Sequence, residues 1–198
     1  MSDRDQSKWN LRYSESNERP LRPASDFLQR YIHQAPAGRA LDLACGTGRN
    51  ALYMARQGFV VDAVDISDVG LARAQRAADE ARLAISWHCQ DLLASPQIPH
   101  PLYQLIVLFR FVAPQLVKRL PNYLAPGGML LIEEHLHKPA DAGEVTVSGP
   151  GSRRFRVAPG ELAASLVGLE LAFCDEGIVS EPDGSVAALA RVQAFKPR

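Results

Sequence analysis

Acidic side chains flank a glycine turn near the first predicted strand. The turn Gly46-Thr47-Gly48 lies within LDLACGTGRN, residues 41–50, and Asp42 stands four positions before Gly46. Asp65 stands 17 positions after Gly48, at the end of the next predicted strand. A carboxylate at that place can accept hydrogen bonds from both hydroxyls of a ribose. The spacing therefore predicts a nucleoside site at this turn.

The same turn also fits the dinucleotide pattern G-x-G-x-x-A, from Gly46 to Ala51, in which a helix N-terminus receives a pyrophosphate. Asp42 disfavours a phosphate, because a carboxylate in a poorly screened pocket repels it. S-adenosylmethionine fits better, since it carries an ammonium and a sulfonium and no phosphate. A third acid, Asp91, follows a later strand, where it could accept a bond from an adenine amino group.

Two further positions could do chemistry on a substrate. Arg110 lies between Phe109 and Phe111 at the end of a predicted strand and could orient an anion. His135 ends the next strand and could act as a general base. Histidines at strand ends are more often polar surface, so the base remains one of two interpretations.

Two large aromatic residues, Trp9 and Tyr13, lie four positions apart in a polar N-terminal segment and would share one face of a helix. They could pack this segment onto the body of the protein. They could also cover the cofactor, exclude water and offer a ring face to the sulfonium. Both roles are compatible.

Strand and helix patterns alternate along the chain and predict an α/β fold, a parallel sheet with helices on both faces. We expect an arm or lid at residues 1–25 and a single domain at 26–198. The segment 136–158 is irregular, which is typical of a functional lid or of disorder. Arg153, Arg154 and Arg156 are interpreted as a solvated basic run, which in a lid could also screen an anion. Pro182-Asp183-Gly184 predicts the turn of an antiparallel C-terminal hairpin. The predicted strands are 40–44, 59–66, 84–89, 103–109 and 129–135, and the predicted helices are 49–57, 67–81, 114–124 and 159–167.

Composition narrows the classes of partner. Lysine plus arginine (22) equal aspartate plus glutamate (22), which disfavours nucleic acid and anionic membranes as partners. The start of the chain has no apolar signal region and no apolar run is long enough for a membrane span, so we expect a cytoplasmic protein. Cys45, Cys89 and Cys174 show no metal-ligand spacing, and no metal is expected. A monomer or homodimer is expected.

The combined motifs resemble class I S-adenosylmethionine-dependent methyltransferases. They are Asp42 with Gly46 and Gly48, then Asp65, then CQDL at 89–92, then LAPGG at 124–128. The opening WNLRY and the run from Leu41 to Ser67 are most similar to the small bacterial group related to tellurite-resistance and thiopurine methyltransferases. The resemblance covers nearly the whole chain, from about Trp9 to Phe195.

The resemblance implies a Rossmann-like, seven-stranded, mostly parallel sheet whose last strand is antiparallel. It also implies S-adenosyl-L-methionine as cofactor and S-adenosyl-L-homocysteine as product. Carried over by position, the methionine end would lie against Asp42, Ala44, Gly46 and Gly48, and Asn50 is also expected to bind the cofactor. Ribose and adenine would lie against Asp65, Ile66, Gln90, Asp91 and Leu92, while Trp9, Tyr13 and Phe109 would complete the site.

The expected function is methyl transfer to a small-molecule nucleophile such as a thiol or a selenium or tellurium oxyanion. A soft anionic acceptor needs little base catalysis, which suits a chain with no unmistakable catalytic dyad. Two alternatives stay open: a non-catalytic module that binds S-adenosylmethionine, and a nicotinamide-dependent oxidoreductase.

Overall fold

The computed structural model describes residues 3–15, 21–94, 96–138, 146–181 and 184–198. Its α-helices within these ranges are α1 (Asp3–Glu15), α2 (Asp26–Tyr31), α3 (Arg49–Arg56), α4 (Asp68–Glu80), α5 (Pro114–Val117) and α6 (Glu161–Ala164). The β-strands are β1 (Arg39–Leu43), β2 (Val60–Asp65), β3 (Ile85–Cys89), β4 (Tyr103–Phe109), β5 (Leu124–His135), β6 (Glu170–Ser180) and β7 (Val186–Phe195). Short 3₁₀ turns occupy Ile32–Gln34, Leu120–Tyr123 and Arg153–Phe155.

One seven-stranded sheet has the order β3-β2-β1-β4-β5-β7-β6. The first five strands in this order are parallel, whereas β7 is antiparallel to both β5 and β6. The predicted fold class is therefore confirmed, including the antiparallel C-terminal hairpin. The predicted turn residues Pro182 and Asp183 lie outside the described residues.

The central strands are buried on both faces, as parallel strands covered by helices must be. In β4, Leu105 and Val107 face one apolar core, which includes Phe27 of α2 and Met54 of α3. Their neighbours Ile106 and Leu108 face a second core, beneath α5 and α6. Strand order reverses between β1 and β4, so the ligand crevice of an open α/β sheet is expected at their carboxyl ends.

The helix predicted at 159–167 and the strand predicted at 129–135 differ in length from the structure. Only Glu161–Ala164 is α-helical; the chain enters this helix through Gly160 in a left-handed conformation (φ 76°), and Val167, beyond its end, is exposed. Strand β5 begins earlier than predicted, at Leu124, and its pairing with β4 shifts register between Tyr103 and Leu105.

The segment 146–158 packs against the ends of β5 and β7, while 139–145 lies outside the described residues. Arg156 is not a solvated basic residue as predicted. Its guanidinium donates to the carbonyls of Pro150 (2.9 Å), Leu136 (2.9 Å) and Ser148 (3.2 Å). It therefore fastens the described part of this segment to the end of β5.

The N-terminal segment contains a 13-residue helix, α1, that packs on α4. Polar contacts hold it to the β2–α4 junction: Gln6 donates to the carbonyl of Ile66 (3.0 Å) and Asn10 to Asp68 (2.7 Å). The hydroxyl of Ser67 donates to Asn10 at 2.6 Å. Among the helices in the described ranges, none is long and apolar enough to cross a membrane.

Candidate functional site

A cavity of about 550 Å³ opens at the carboxyl ends of β1, β2, β3 and β4, beneath α1. Most of the predicted site residues line it: Trp9, Tyr13, Ala44, Gly46, Asn50, Asp65, Ile66, Gln90, Leu92, Phe109 and Arg110. Four do not: Asp42, Gly48, Asp91 and His135. The sheet thus brings residues from both the nucleoside half and the methionine half of the predicted site to one cavity, whereas the four exceptions have other surroundings.

Asp65 joins the glycine turn to the start of α4. Its carboxylate accepts from the amides of Gly46 (2.7 Å) and Ser67 (2.9 Å). Burial raises the pKa of this carboxyl, and the bonds from Ser67, Gly46 and Ile66 lower it in part. A carboxylate offers about four lone-pair sites, so these hydrogen bonds leave it able to accept from a ligand.

The two glycines of the turn have different neighbours. Gly46 (φ 57°) lines the cavity, and a Cβ there would lie 2.7 Å from the hydroxyl oxygen of Tyr13. Gly48 (φ 79°) lies behind the turn, where a Cβ would be 2.7 Å from the Cβ of Ala74 and 2.8 Å from the Trp87 ring. Gly48 therefore allows α3 to pack closely against α4 and β3.

Asp42 is buried beneath the turn, with 2% of its surface exposed. The backbone of Ala51, in the first turn of α3, bonds to its carboxylate, while Oδ2 has no hydrogen-bond partner within the described residues. Burial raises the pKa of Asp42 from 3.8 to about 7. In this structure Asp42 stabilises the start of α3 and does not open onto the cavity.

The segment after β3 presents Gln90 and Leu92 to the cavity but not the acid between them. Asp91 accepts from the amide of Leu93 at 2.8 Å, which closes a local turn. The amide of Gln90 donates to the carbonyl of Asp65 (2.9 Å) and connects β3 to the end of β2. The adenine contact predicted for Asp91 is therefore not one that this arrangement offers.

Helix α1 covers the turn with aromatic side chains. Trp9 and Tyr13 stack with ring centroids 5.7 Å apart, and the Arg12 guanidinium lies 5.0 Å from the Trp9 ring centroid. Burial, followed by the charge of Asp65, raises the pKa of the Tyr13 hydroxyl. Tyr13 is therefore a neutral phenol at physiological pH that closes the cavity over Gly46.

Two backbone conformations at the cavity are strained. Ala44 (φ 55°) and Arg110 (φ 61°) follow β1 and β4 directly, and both line the cavity. Left-handed conformations are costly for residues with a Cβ and occur often at functional sites.

Arg110 is engaged by two carboxylates. Its Nε donates to Glu133 at 2.9 Å and its Nη2 to Glu181 at 2.6 Å. Burial lowers its pKa, but the two carboxylates more than offset this, so the pKa is raised. Arg110 is a permanent cation at the cavity, held in place by β5 and by the residue after β6.

His135 ends β5 outside the cavity, under the segment 146–158. A Cβ on Gly149 would lie 2.5 Å from the ring, so the imidazole packs directly on that backbone. Burial lowers the pKa of His135 to about 4, with Arg110 and Arg156 adding to the effect. The ring is neutral at pH 7, but a general base must reach the substrate, and this position does not reach the cavity.

Arginines that were not predicted as site residues also line the cavity: Arg12, Arg22, Arg49 and Arg73. Two of them were visible beside recognised motifs, Arg12 within WNLRY and Arg49 directly after the glycine turn. Within the described residues, no group of three or more His, Cys, Asp or Glu side chains is arranged to hold a metal ion.

Comparisons with known proteins agree with this architecture. Residues 40–128 match a family described as a methyltransferase domain. The matched segment is just under half of the chain. It contains the glycine turn, Asp65 and the ends of β3 and β4, so the resemblance to class I S-adenosylmethionine-dependent methyltransferases is confirmed.

Two curated relatives match part of the chain. A provisionally named methyltransferase of Geobacillus sp. is 37% identical over 79 residues, 38% of this chain and 32% of that protein. A ubiquinone biosynthesis O-methyltransferase of Caulobacter sp. is 32% identical over 99 residues, 48% of this chain and 39% of that protein. The matched segments thus span about a third of the relatives' lengths.

Solved structures share the fold over a longer span. TehB from Haemophilus influenzae has a TM-score of 0.72 at 22% identity, covering 95% of this chain and 67% of that one. Geranyl diphosphate C-methyltransferase from Streptomyces coelicolor, crystallised with S-adenosyl-L-homocysteine, has a TM-score of 0.66 at 17% identity, covering 86% and 74%. At these identities the likeness shows the fold alone.

Proposed function

We propose that this protein binds S-adenosyl-L-methionine in the 550 Å³ cavity and transfers its methyl group to a small-molecule nucleophile. The main support is the carboxylate of Asp65, which holds the glycine turn through the Gly46 amide and also faces the cavity. In this proposal Asp65 receives the ribose, Ile66, Gln90 and Leu92 line the adenine pocket, and the methionine end lies along Ala44 to Asn50.

The bound cofactor would supply a methyl group on a sulfonium, which is already a good leaving group. The protein then needs to align the acceptor with the methyl group and to exclude water, and alignment alone can contribute about 7–11 kcal/mol to the barrier reduction. Tyr13 and Trp9, from α1, would exclude water by covering the turn. Phe109 and Phe111, at the end of β4, would flank the acceptor.

The groups around the cavity favour an acceptor that arrives as an anion. No imidazole lines the cavity in the described part of the chain. Asp65 already accepts from backbone amides, and the raised pKa of Tyr13 keeps its hydroxyl protonated, so no phenolate is available as a base. Five arginines line the cavity, with Asp65 and Glu15 as the acids. A thiolate or an oxyanion of selenium or tellurium needs no base to activate it and carries the negative charge that the arginines would attract.

Binding calorimetry with S-adenosyl-L-homocysteine tests cofactor recognition. We expect one site per chain and an affinity that falls about tenfold or more for Asp65→Ala, through lost charge-assisted ribose bonds. Asp79→Ala, which changes an exposed acid on the outside of α4, is the matched control and should leave the affinity unchanged. Equal affinities for wild type and Asp65→Ala would refute the ribose assignment.

The acceptor proposal is tested with two thiols of different acidity, an aromatic and an aliphatic one. If the enzyme supplies no base, the pH at which kcat/KM reaches half of its maximum should follow the thiol's own pKa. The same pH midpoint for both thiols would instead show a titrating protein group. Tight cofactor binding without methylation of any thiol, selenite or tellurite would favour the non-catalytic binding module.

A further inference from the structure

The cavity contains more cationic than anionic side chains. Arg12, Arg22, Arg49, Arg73 and Arg110 line it, against Glu15 and Asp65 as its acids. The ammonium and sulfonium of the proposed cofactor are cationic, and its one anionic group is the methionine carboxylate. At least one arginine should therefore be positioned to receive that carboxylate.

Most of these arginines have contacts of their own. Arg110 is paired with Glu133 and Glu181, and Arg12 lies over the Trp9 ring. Arg22 and Arg73 also take part in further interactions. Arg49 differs, since its hydrogen bonding to the rest of the described chain is a single 3.3 Å contact from Nη1 to the carbonyl of Pro23.

Arg49 is half-buried, and within the described residues no carboxylate lies within ion-pair distance of it. A guanidinium has five N–H donors, so most of its hydrogen-bonding capacity is unused. Burial lowers the pKa of Arg49, and the nearby cations Arg110 and Arg22 lower it further, while Glu133 and Asp42 offset this in part. The charged side chain is therefore disfavoured unless an anion joins it.

The position of Arg49 in the chain indicates which anion this is. Arg49 is the first residue of α3, immediately after the glycine turn along which the methionine end is proposed to lie. A cation is unfavourable at a helix N-terminus, and the first turn of α3 contains no acidic residue. An anion bound there would interact favourably with both the guanidinium and the helix.

We propose that Arg49 binds the carboxylate of the methionine moiety of the cofactor, and so distinguishes S-adenosylmethionine from adenosyl compounds that lack this group. The inference rests on the proposed function and adds a residue that the motif did not identify. A guanidinium can make two parallel bonds to a carboxylate, a geometry that an ammonium cannot match. Arg49 would therefore set the specificity at the methionine end of the site.

The test compares two ligands by calorimetry: S-adenosyl-L-homocysteine and its decarboxylated analogue, which keeps the adenosine and the amine. Wild-type protein should prefer the first by about tenfold to a hundredfold, the range expected for hydrogen bonds between charged groups. Arg49→Gln should lose this preference, by weakening the first ligand and leaving the second within about twofold. Arg49→Lys should keep part of the preference, because it retains the charge.

Arg56→Gln is the matched control, since it removes the same charge from the exposed end of α3 and lies outside the main cavity. It should leave both affinities unchanged. Equal weakening of both ligands by Arg49→Gln would show that Arg49 only supports the turn and would overturn the inference, as would no weakening of either. If Arg49→Gln does not fold, the ligand preference of wild type and of Arg49→Lys decides the question. A wild-type protein that binds neither ligand refutes the proposed function itself, and this inference with it.

Discussion

The buried carboxyl of Asp42 should make the stability of the protein fall as pH rises. Its pKa is raised from 3.8 to about 7 by burial, so the native state binds this proton more tightly than the unfolded state does. The favourable contribution is complete below pH 4, where both states are protonated, and is lost between pH 4 and pH 7 as the unfolded state ionises first. A shift of about three units, at about 1.4 kcal/mol per unit, corresponds to a loss on the order of 4 kcal/mol.

Asp42→Asn isolates this effect, because an amide keeps the shape and the acceptor oxygen for Ala51 but does not ionise. We expect the free energy of unfolding of the variant, minus that of wild type, to increase by about 3–4 kcal/mol from pH 4 to pH 8. Urea unfolding followed by circular dichroism at several pH values measures it. All other titrating groups are common to both proteins and cancel in the difference.

Asp79→Asn makes the same chemical change on the exposed face of α4 and is the matched control. A difference between Asp42→Asn and wild type that stays constant from pH 4 to pH 8 would contradict the reasoning. It would mean that the carboxylate of Asp42 is as well solvated or paired in the native state as in the unfolded chain.

Three further substitutions test other contacts. Ser67→Ala removes the hydroxyl that caps the N-terminus of α4 by accepting from the Gly70 amide at 3.0 Å. It should lower the free energy of unfolding by about 1–2 kcal/mol, measured by urea unfolding. A change no larger than that of Ser165→Ala would count against this N-cap. Gly70→Ala places a Cβ 2.9 Å from the Tyr13 ring and should displace that ring, which weakens S-adenosyl-L-homocysteine binding. The loss of affinity should be smaller when Tyr13→Ala is also present. The same loss in both backgrounds would show that Tyr13 is not displaced. Asp65→Asn leaves one acceptor oxygen for the amides of Gly46 and Ser67. It should lower both the melting temperature and, about tenfold, the affinity for S-adenosyl-L-homocysteine. An unchanged melting temperature would argue that these two contacts do not stabilise the glycine turn.

The sheet and the cavity at its edge could be predicted from the sequence because both depend on regular spacing. Apolar strands alternate with amphipathic helices, and the carboxyl ends of parallel strands meet at one edge, so Gly46, Asp65 and Gln90 were placed together by counting residues. A strand-end position does not determine where a side chain points. Asp91 follows the end of β3 as predicted, yet it accepts from the Leu93 amide and does not line the cavity.

Other features depend on contacts between segments far apart in the chain. Gly48 meets Ala74 and Trp87 through the packing of α3 on α4 and β3, and no local pattern distinguishes this from a ligand contact. His135 was predicted as a base from its strand-end position, but the course of the segment 146–158 covers it. Arg49 carries no motif of its own, and its significance emerges only when its surroundings are known. The arm at 1–25, the single domain at 26–198 and the oligomeric state stay predictions.

The central claim is that an acid and a glycine turn at the ends of β1 and β2 bind an adenosyl sulfonium cofactor and not a dinucleotide. Calorimetry of wild-type protein with S-adenosyl-L-homocysteine and, separately, with NADP⁺ tests it most directly. We predict saturable binding of the first at one site per chain and no heat of binding from the second. Binding of NADP⁺ in competition with the nucleoside, or no binding of S-adenosyl-L-homocysteine, would contradict the assignment.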